Sequence, residues 1–327
     1  MSSPSPLPRL RANVLEAWAL WTGIDSGLFQ ACAEPISRSD LLKATRFAPS
    51  ALDPLVGALE ATGHIDRVDD TLVVSDASAP FVLGSVDAPA AEAPQFIGRS
   101  FGFLRTSRHF ESYPGLLQHG GQTALSPADW GHITLGSSAY VAPAVDAMCR
   151  LVPALNQGCR VLDVGCGSGD YSLALLDRNP ALEVLAIDPT PVVAERTGAR
   201  LADRSRAEVR CCELGDVGGT FDVVLLNHVL HVVGDAASVP LLRQCRERLT
   251  PGGVLVVQEL VKTPQNRAEL FGLMMRMLFQ DGQAFDESEL RHQLHRAGFD
   301  AAEAFPIGAA AGGLTLLVAS TPPPKGT

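Results

Sequence analysis

The residues whose types and spacing bear chemistry begin at Asp163, followed at alternating positions by Gly165, Gly167 and Gly169 in the run Val161–Ser172. An apolar stretch, Val161, Leu162 and Val164, breaks there into glycines, which let the backbone turn sharply and approach a ligand that a Cβ would keep out. A helix that follows from about Tyr171 to Arg178 would offer its positive end and free N–H groups to an anionic group. The spacing departs from a dinucleotide fingerprint, because the third glycine arrives one residue early and Asp170 stands where the last should be. No Gly-Lys-Ser/Thr follows, so a phosphate-gripping P-loop is excluded as well. Cys166 reads as a small spacer within the loop, since no base is written beside it.

Elements must hold this loop in place. From Gly158 onward apolar runs alternate with helical patterns: strands near 160–164, 183–187, 208–212, 221–226 and 254–258, with helices near 171–178, 192–203 and 237–249. That alternation predicts right-handed β-α-β crossovers and an α/β fold with a doubly wound, mostly parallel sheet. Ligands on such sheets bind at the carboxyl ends of the strands. The second strand ends in Asp188-Pro189, where a carboxylate could accept both hydroxyls of a ribose or cap a helix. The third is followed by Gly215-Asp216, a further carboxylate; the fourth ends in the polar cluster Asn227, His228 and His231; and Glu259 follows the fifth.

Upstream, Arg9–Trp21 places Leu10, Val14, Ala17, Trp18 and Trp21 at helical spacing, a broad apolar face that must dock on something. Helix starts at Ser39-Asp40 and Pro49-Ser50, a stop at Gly63 and a hairpin about Asp69-Asp70 make a winged-helix-like arrangement over residues 1–90. The second helix carries Asp53 and Glu60 and no Lys or Arg between Ser50 and Thr62, which sets it against phosphates and favours a dimerisation module over a DNA reader. Residues 91–157 read as a linker and pocket helices, with Phe96, Phe101, Phe103, Phe110, Tyr113, Trp130 and Tyr140 able to line an organic pocket or fill a core. Residues 158–320 form the second domain, and 321–327 a loose tail.

Composition agrees with a globular small-molecule protein. The 327 residues are 46% apolar with a formal charge of −10, a balance unsuited to nucleic acid or an acidic membrane. No apolar stretch approaches the ~20 residues a bilayer requires, and the first residues lack a signal-peptide pattern. Seven cysteines without a C-x-x-C pair suggest reduced thiols, and with them a cytoplasmic setting.

Taken with the glycine loop, Asp222–His231, Leu242-Arg-Gln-Cys-Arg and Leu249–Glu259 resemble the class I S-adenosylmethionine-dependent methyltransferases, in particular small-molecule O-methyltransferases of caffeate, flavonoid and polyketide type. That family joins an N-terminal winged-helix-like dimerisation domain to a Rossmann-like catalytic domain. The resemblance implies S-adenosylmethionine as cofactor, held through Asp163, Gly165, Cys166, Gly167 and Gly169, with Asp188 and Pro189 on the ribose, Asp216 and Val217 on the adenine side, and Asn227 and His228 facing it. His231 falls on the family's catalytic histidine and Glu259 on a carboxylate that orients it. An imidazole with an ordinary pKa near ~6.5 suits deprotonation of a phenol or enol.

Where the family has an acidic and then an aromatic residue after this histidine, the chain has Val232 and Val233, leaving Asp235 or Glu259 to orient His231. The expectation is a homodimeric, metal-independent O-methyltransferase of a small, aromatic specialised metabolite, of the kind made in antibiotic biosynthesis. The rivals are C- or N-methylation on the same fold, including a metal-assisted keto-acid type, and a winged-helix regulator that senses a ligand. For a metal, His228 and His231 could share a helical face, but no third ligand is evident in the sequence. Ala268–Phe279, rich in Leu, Met and Phe, reads as a buried helix or a pliable substrate wall, and His292 and His295 as solvated.

Overall fold

A computed structural model describes residues 7–84, 97–98, 124–134, 140–263, 268–307 and 314–321. The chain forms two compact units, residues 1–102 and 103–327. The aromatic positions 96, 101, 103, 110 and 113 and the loop at 119–121 lie outside the described residues.

In the first unit, α1 (Leu7–Asp25), α2 (Leu28–Ala31), α3 (Arg38–Thr45), α4 (Pro49–Ala61) and the short α5 (Ala79–Val82) accompany a three-stranded sheet of β1 (Ile36–Ser37), β3 (Thr71–Val74) and β2 (Ile65–Val68). The Ser37 hydroxyl caps α3 by accepting from the Asp40 N–H at 3.1 Å, and Pro49 opens α4 where a missing N–H costs nothing. Leu28, Phe29, Leu41, Leu52, Leu59, Ile65 and Leu72 fill the core between them. The acidic side chains of α4 are paired within the unit, Asp53 with Arg38 at 2.6 Å and Glu60 with Arg67 at 2.7 Å. Ala19, Leu20 and Ile24 of α1 pack on that core, while Val14, Leu15 and Trp18 are exposed.

The second unit is a seven-stranded sheet in the order β6-β5-β4-β7-β8-β10-β9, with β4 Arg160–Val164, β5 Glu183–Ile187, β6 Ala207–Arg210, β7 Phe221–Asn227, β8 Leu249–Leu260, β9 Ala302–Pro306 and β10 Leu314–Ser320. The first five run parallel; β10 is antiparallel to both β8 and β9. Helices α6 (Pro127–Ile133), α7 (Val141–Leu151), α8 (Asp170–Arg178), α9 (Pro191–Leu201), α10 (Leu230–Glu247), α11 (Ala268–Leu278) and α12 (Glu287–Arg296) accompany it. Buried strand residues face two separate apolar clusters: Val161, Val184 and Val223 belong to one, Leu162, Leu185 and Val224 to the other. This period of two, buried on both faces, is why the strands read as continuous apolar runs. No helix among the described residues is long and apolar enough to cross a membrane.

Four elements differ from the sequence reading. Helix α10 begins at Leu230, well before 237, because Gly234 (φ 73°, ψ −179°) interrupts the helical backbone and hides its first turn from a periodicity count. The antiparallel pair β9 and β10 was absent from the sequence reading. Helix α11 is not buried all round: Met275, Met277 and Leu278 are buried, but Leu270 is 62% exposed.

Candidate active site

The glycine loop leaves β4 with three left-handed residues, Gly165 (φ 68°), Gly167 (φ 54°) and Gly169 (φ 74°). Space as well as dihedral excludes side chains: a Cβ on Gly165 would stand 2.7 Å from Val229 Cγ2, and one on Gly169 2.6 Å from Thr197 Cγ2. The Gly165 and Cys166 N–H groups both donate to the Ile187 carbonyl at 2.9 Å, and the Thr197 hydroxyl donates to the Gly167 carbonyl at 2.6 Å. Arg200 braces the far end, bonding the Ser168 carbonyl and meeting the buried Asp170 carboxylate at 2.5 Å. The loop is thus tied to β5 and α9 before any ligand arrives. Burial pushes the Cys166 thiol well up, which keeps it protonated and supports its reading as a spacer.

Two buried carboxylates stand beneath the loop. Asp163 accepts from the Ser172 hydroxyl at 2.6 Å, and burial, reinforced by the Asp188 charge, lifts it to about 6. Asp188 accepts from the Thr190 N–H at 2.9 Å and the Gly167 N–H at 3.3 Å, and burial raises it too. An ionised carboxylate has more lone pairs than these two bonds use, so Asp188 keeps acceptor capacity for hydroxyls. Pro189 is exposed beyond it, and Asp216 is exposed at the end of a 3₁₀ turn whose next residue, Val217, is buried.

At the end of β7 the Asn227 side chain is buried, yet neither Nδ2 nor Oδ1 has a hydrogen-bond partner among the described residues. An orphaned amide buried this deeply costs roughly 1–3 kcal/mol for each unmet group. His228 follows in a left-handed conformation, φ 59°. Then α10 begins, with His231 in its first turn.

His231 Nδ1 and Glu259 Oε2 lie 2.6 Å apart, both side chains buried. Glu259 Oε1 also accepts from the N–H groups of Leu230 (2.8 Å) and His231 (3.3 Å), so one carboxylate fixes both the helix start and the ring. Burial would raise Glu259, but the His231 imidazole and these hydrogen bonds outweigh it and leave the carboxyl below its ordinary value. An ionised Glu259 only accepts, so Nδ1 of the neutral imidazole carries the hydrogen and Nε2 presents a free lone pair. Asp235 takes no part in orienting the ring. It is exposed and accepts from Gln293 Nε2 at 2.8 Å, turned away by the backbone break at Gly234.

A second polar chain was missed by the sequence reading. Gln258, fully buried, donates through Nε2 to the Tyr171 hydroxyl (2.7 Å) and to His228 Nε2 (3.0 Å). A lone amide ending the apolar run Val254–Val257 was the signal that could have found it. Phe271 of α11 meets His231 edge-on at 4.9 Å, and it joins Trp130, Met274 and Phe279 in an apolar wall, with the Trp130 and Phe279 rings 5.6 Å apart. His228, His231 and Glu259 bring one donor atom each within 4.8 Å, so Glu259 is the third group that the sequence did not offer for a metal. His231 Nδ1, Glu259 Oε2 and His228 Nε2 are nonetheless engaged in hydrogen bonds.

The structure therefore gathers the loop glycines, Asp163, Asp188, Asn227, His228, His231 and Glu259 at the carboxyl ends of adjacent strands, with Val229 packed on Gly165 joining the two halves. The methyltransferase domain family matches residues 140–304, half of the chain. The chain belongs to the methyltransferase family. This methyltransferase is 29% identical over 190 residues to the mitomycin biosynthesis 6-O-methyltransferase of Streptomyces lavendulae, covering 55% of this chain and 50% of that protein. It is 35% identical over 120 residues to a phenazine O-methyltransferase of Lysobacter antibioticus, covering 34% and 33%. The chain thus spans half or less of these relatives' lengths.

Among solved structures, an O-methyltransferase family protein from Burkholderia thailandensis matches at a TM-score of 0.80 and 17% identity, over 99% of this chain and 100% of that one. Human N-acetylserotonin methyltransferase, solved in complex with SAM, matches at 0.78 and 15%, over 98% and 99%. At these identities the likeness establishes the fold, the Rossmann-like α/β sheet with a helical N-terminal region that the motifs led us to expect.

Proposed function

We propose that this methyltransferase transfers a methyl group from S-adenosylmethionine to a hydroxyl of a small aromatic metabolite, with His231 as general base. The observation that carries the reading is the buried His231–Glu259 pair, 2.6 Å apart, at a strand end whose next turn packs on the glycine loop. The residues fit the cofactor: left-handed glycines give a cradle that Cβ atoms would fill, Asp188 retains acceptor capacity for ribose hydroxyls, and the orphaned Asn227 amide can meet a group that both donates and accepts. Asp163 and Cys166 shape the cradle, and Pro189, Asp216 and Val217 border its adenine side. S-adenosylmethionine, when bound, supplies an electrophilic sulfonium methyl.

The protein's own work is alignment and proton removal. Glu259 holds the His231 ring with Nε2 free, and Nε2 takes the proton of the acceptor hydroxyl as its oxygen becomes the nucleophile. The imidazolium so formed is stabilised by the carboxylate already bonded to it. Phe271, Met274 and Trp130 exclude water and offer a flat, adaptable apolar surface to an aromatic ring. The names of the mitomycin and phenazine enzymes are in keeping with such a substrate. A homodimer formed through the first unit fits the exposed apolar face of α1, and seven free thiols fit the cytoplasm.

The test is transfer from methyl-labelled S-adenosylmethionine to a panel of phenols, amines and keto acids, before and after chelation. Label is expected in an O-methyl ether at an unchanged rate after chelation. Label on carbon or nitrogen, or activity lost with the metal and restored by it, overturns the reading.

A further inference from the structure

We propose that helix α6 carries the state of the cofactor loop to the acceptor wall, with Thr134 and Trp130 as the positioning residues. Thr134 follows the glycine loop, and Trp130 moves with it in the wall that stands beside His231. S-adenosylmethionine or S-adenosylhomocysteine at the loop then sets the surface against which the acceptor ring lies. The inference rests on the cofactor and acceptor sites of the proposed function and adds the link between them.

Each glycine of the loop has its open side taken by a different element. Val229, the N-cap of α10, stands where a Cβ on Gly165 would be, and Thr197 of α9 where one on Gly169 would be. Thr134, the residue that closes α6, places its Cβ 3.5 Å and its Cγ2 3.6 Å from the Cβ position of Gly167. Contacts this close are felt at once when one side moves, because packed interiors have little free space to absorb a shift.

The glycine that Thr134 touches is also the one bonded to the ribose carboxylate of the proposed site. The Gly167 N–H donates to Asp188 Oδ2 at 3.3 Å, a long bond, and Asp188 is the group with acceptor capacity left for hydroxyls. Hydroxyls bound there compete with the Gly167 N–H for the same carboxylate, so the occupied and empty sites favour different positions of Gly167. A ligand shifts an equilibrium only through such a difference.

Helix α6 is stiff between its two contacts. The Thr134 N–H and hydroxyl each donate to the Trp130 carbonyl at 3.1 Å, and the Ser126 and Asp129 capping box holds the other end. The helix rests on α9, where the Arg196 guanidinium occupies the place of a Cβ on Gly131, so it shares its support with the loop. At its far side Trp130 packs with Phe279, in the apolar cluster that also takes in Phe271 and Val232, the residue after His231. One helical turn therefore separates the loop contact from the wall contact, and Phe271 meets the His231 ring beyond it.

The experiment reads Trp130 by fluorine NMR in the full chain labelled with fluorotryptophan, its signal among the three tryptophans assigned with Trp130→Phe. Adding S-adenosylhomocysteine should shift that resonance along a curve that saturates at the affinity calorimetry gives. Thr134→Gly, which removes every side-chain atom facing Gly167, should still bind S-adenosylhomocysteine and lose the shift. Thr134→Ser, which sheds only Cγ2, is the milder break and should shrink it. Thr134→Val keeps both carbons on Gly167 without the hydroxyl and should keep the shift, which separates the loop contact from the helix's own hydrogen bond. A purely structural Thr134 would alter thermal stability in these variants and leave the shift in place. No binding of S-adenosylhomocysteine, an unmoved Trp130 resonance in the saturated wild type, a shift undiminished in T134G or T134S, or one lost in T134V overturns the proposal. Label transferred to oxygen with the resonance unmoved would sink the link alone, whereas label found on carbon or nitrogen with the shift intact would sink only the O-methyl assignment.

Discussion

Glu259 has two jobs, and a one-atom change separates them. In Glu259→Gln, Oε1 can still accept from Leu230 N–H and His231 N–H, so the start of the helix should survive. The NH₂ group now faces His231 Nδ1, which must become the acceptor, and the ring hydrogen moves to Nε2 where the base is needed. We expect kcat to fall by about 10²-fold or more, within the range that positioned proton transfer contributes, while calorimetry finds S-adenosylmethionine affinity unchanged. Turnover within a factor of two of the wild type would remove His231 from its role. The resemblance offered Glu259 as the carboxylate beside His231 and the spacing kept Asp235 as well; that only Glu259 bonds the ring turns on the backbone break at Gly234, which the spacing does not show. The strand-end residues were legible, since a polar side chain closing an apolar run stands out. Gln258 and Tyr171 were not, because their importance lies only in each other and in His228.

The same break decides an element. Gly234 takes φ 73° with ψ −179°, a region nearly closed to other residues, and a Cβ there would collide with the Asp281 carbonyl oxygen. This close approach lets the segment before α12 pack against the start of α10, where Gln283 N–H donates to the His231 carbonyl at 3.0 Å. Gly234→Ala should therefore cost about 2–3 kcal/mol in urea denaturation and lower activity with it. Gly198→Ala is the control: that glycine lies inside α9, where a Cβ would find only Val209 at 4.0 Å, and the change should be neutral or slightly stabilising. Equal midpoints for G234A and the wild type would mean that the break is incidental. The parallel strands were legible because their buried runs are bounded by glycine and proline. The antiparallel β9 was not, since Ala302–Pro306 is neither continuously apolar nor cleanly alternating; β10, Leu314–Ser320, is a buried apolar run of the same kind that the sequence reading passed over.

At the scale of the molecule, the proposed homodimer is tested on the face of α1 away from its own core. Val14, Leu15 and Trp18 are 54%, 58% and 53% exposed within the first unit, and Trp18 stacks on Trp21 with ring centroids 5.1 Å apart. Large apolar side chains contribute roughly 1.5–3 kcal/mol each when fully buried, so a contiguous group this size is a strong drive to association. In the proposed homodimer a second copy of the chain would cover it, because under a two-fold each α1 brings the same surface to the other. Light scattering on the eluting protein should give twice the 34.6 kDa of one chain. Leu15→Glu with Trp18→Glu should return it to one chain's mass, since charges placed opposite their own copies repel and cannot be desolvated there. The helix itself should persist by circular dichroism, because Ala19, Leu20 and Ile24 still hold it to its core. A wild-type protein that elutes at the mass of one chain, or a double variant that stays dimeric, would place the interface elsewhere or remove it.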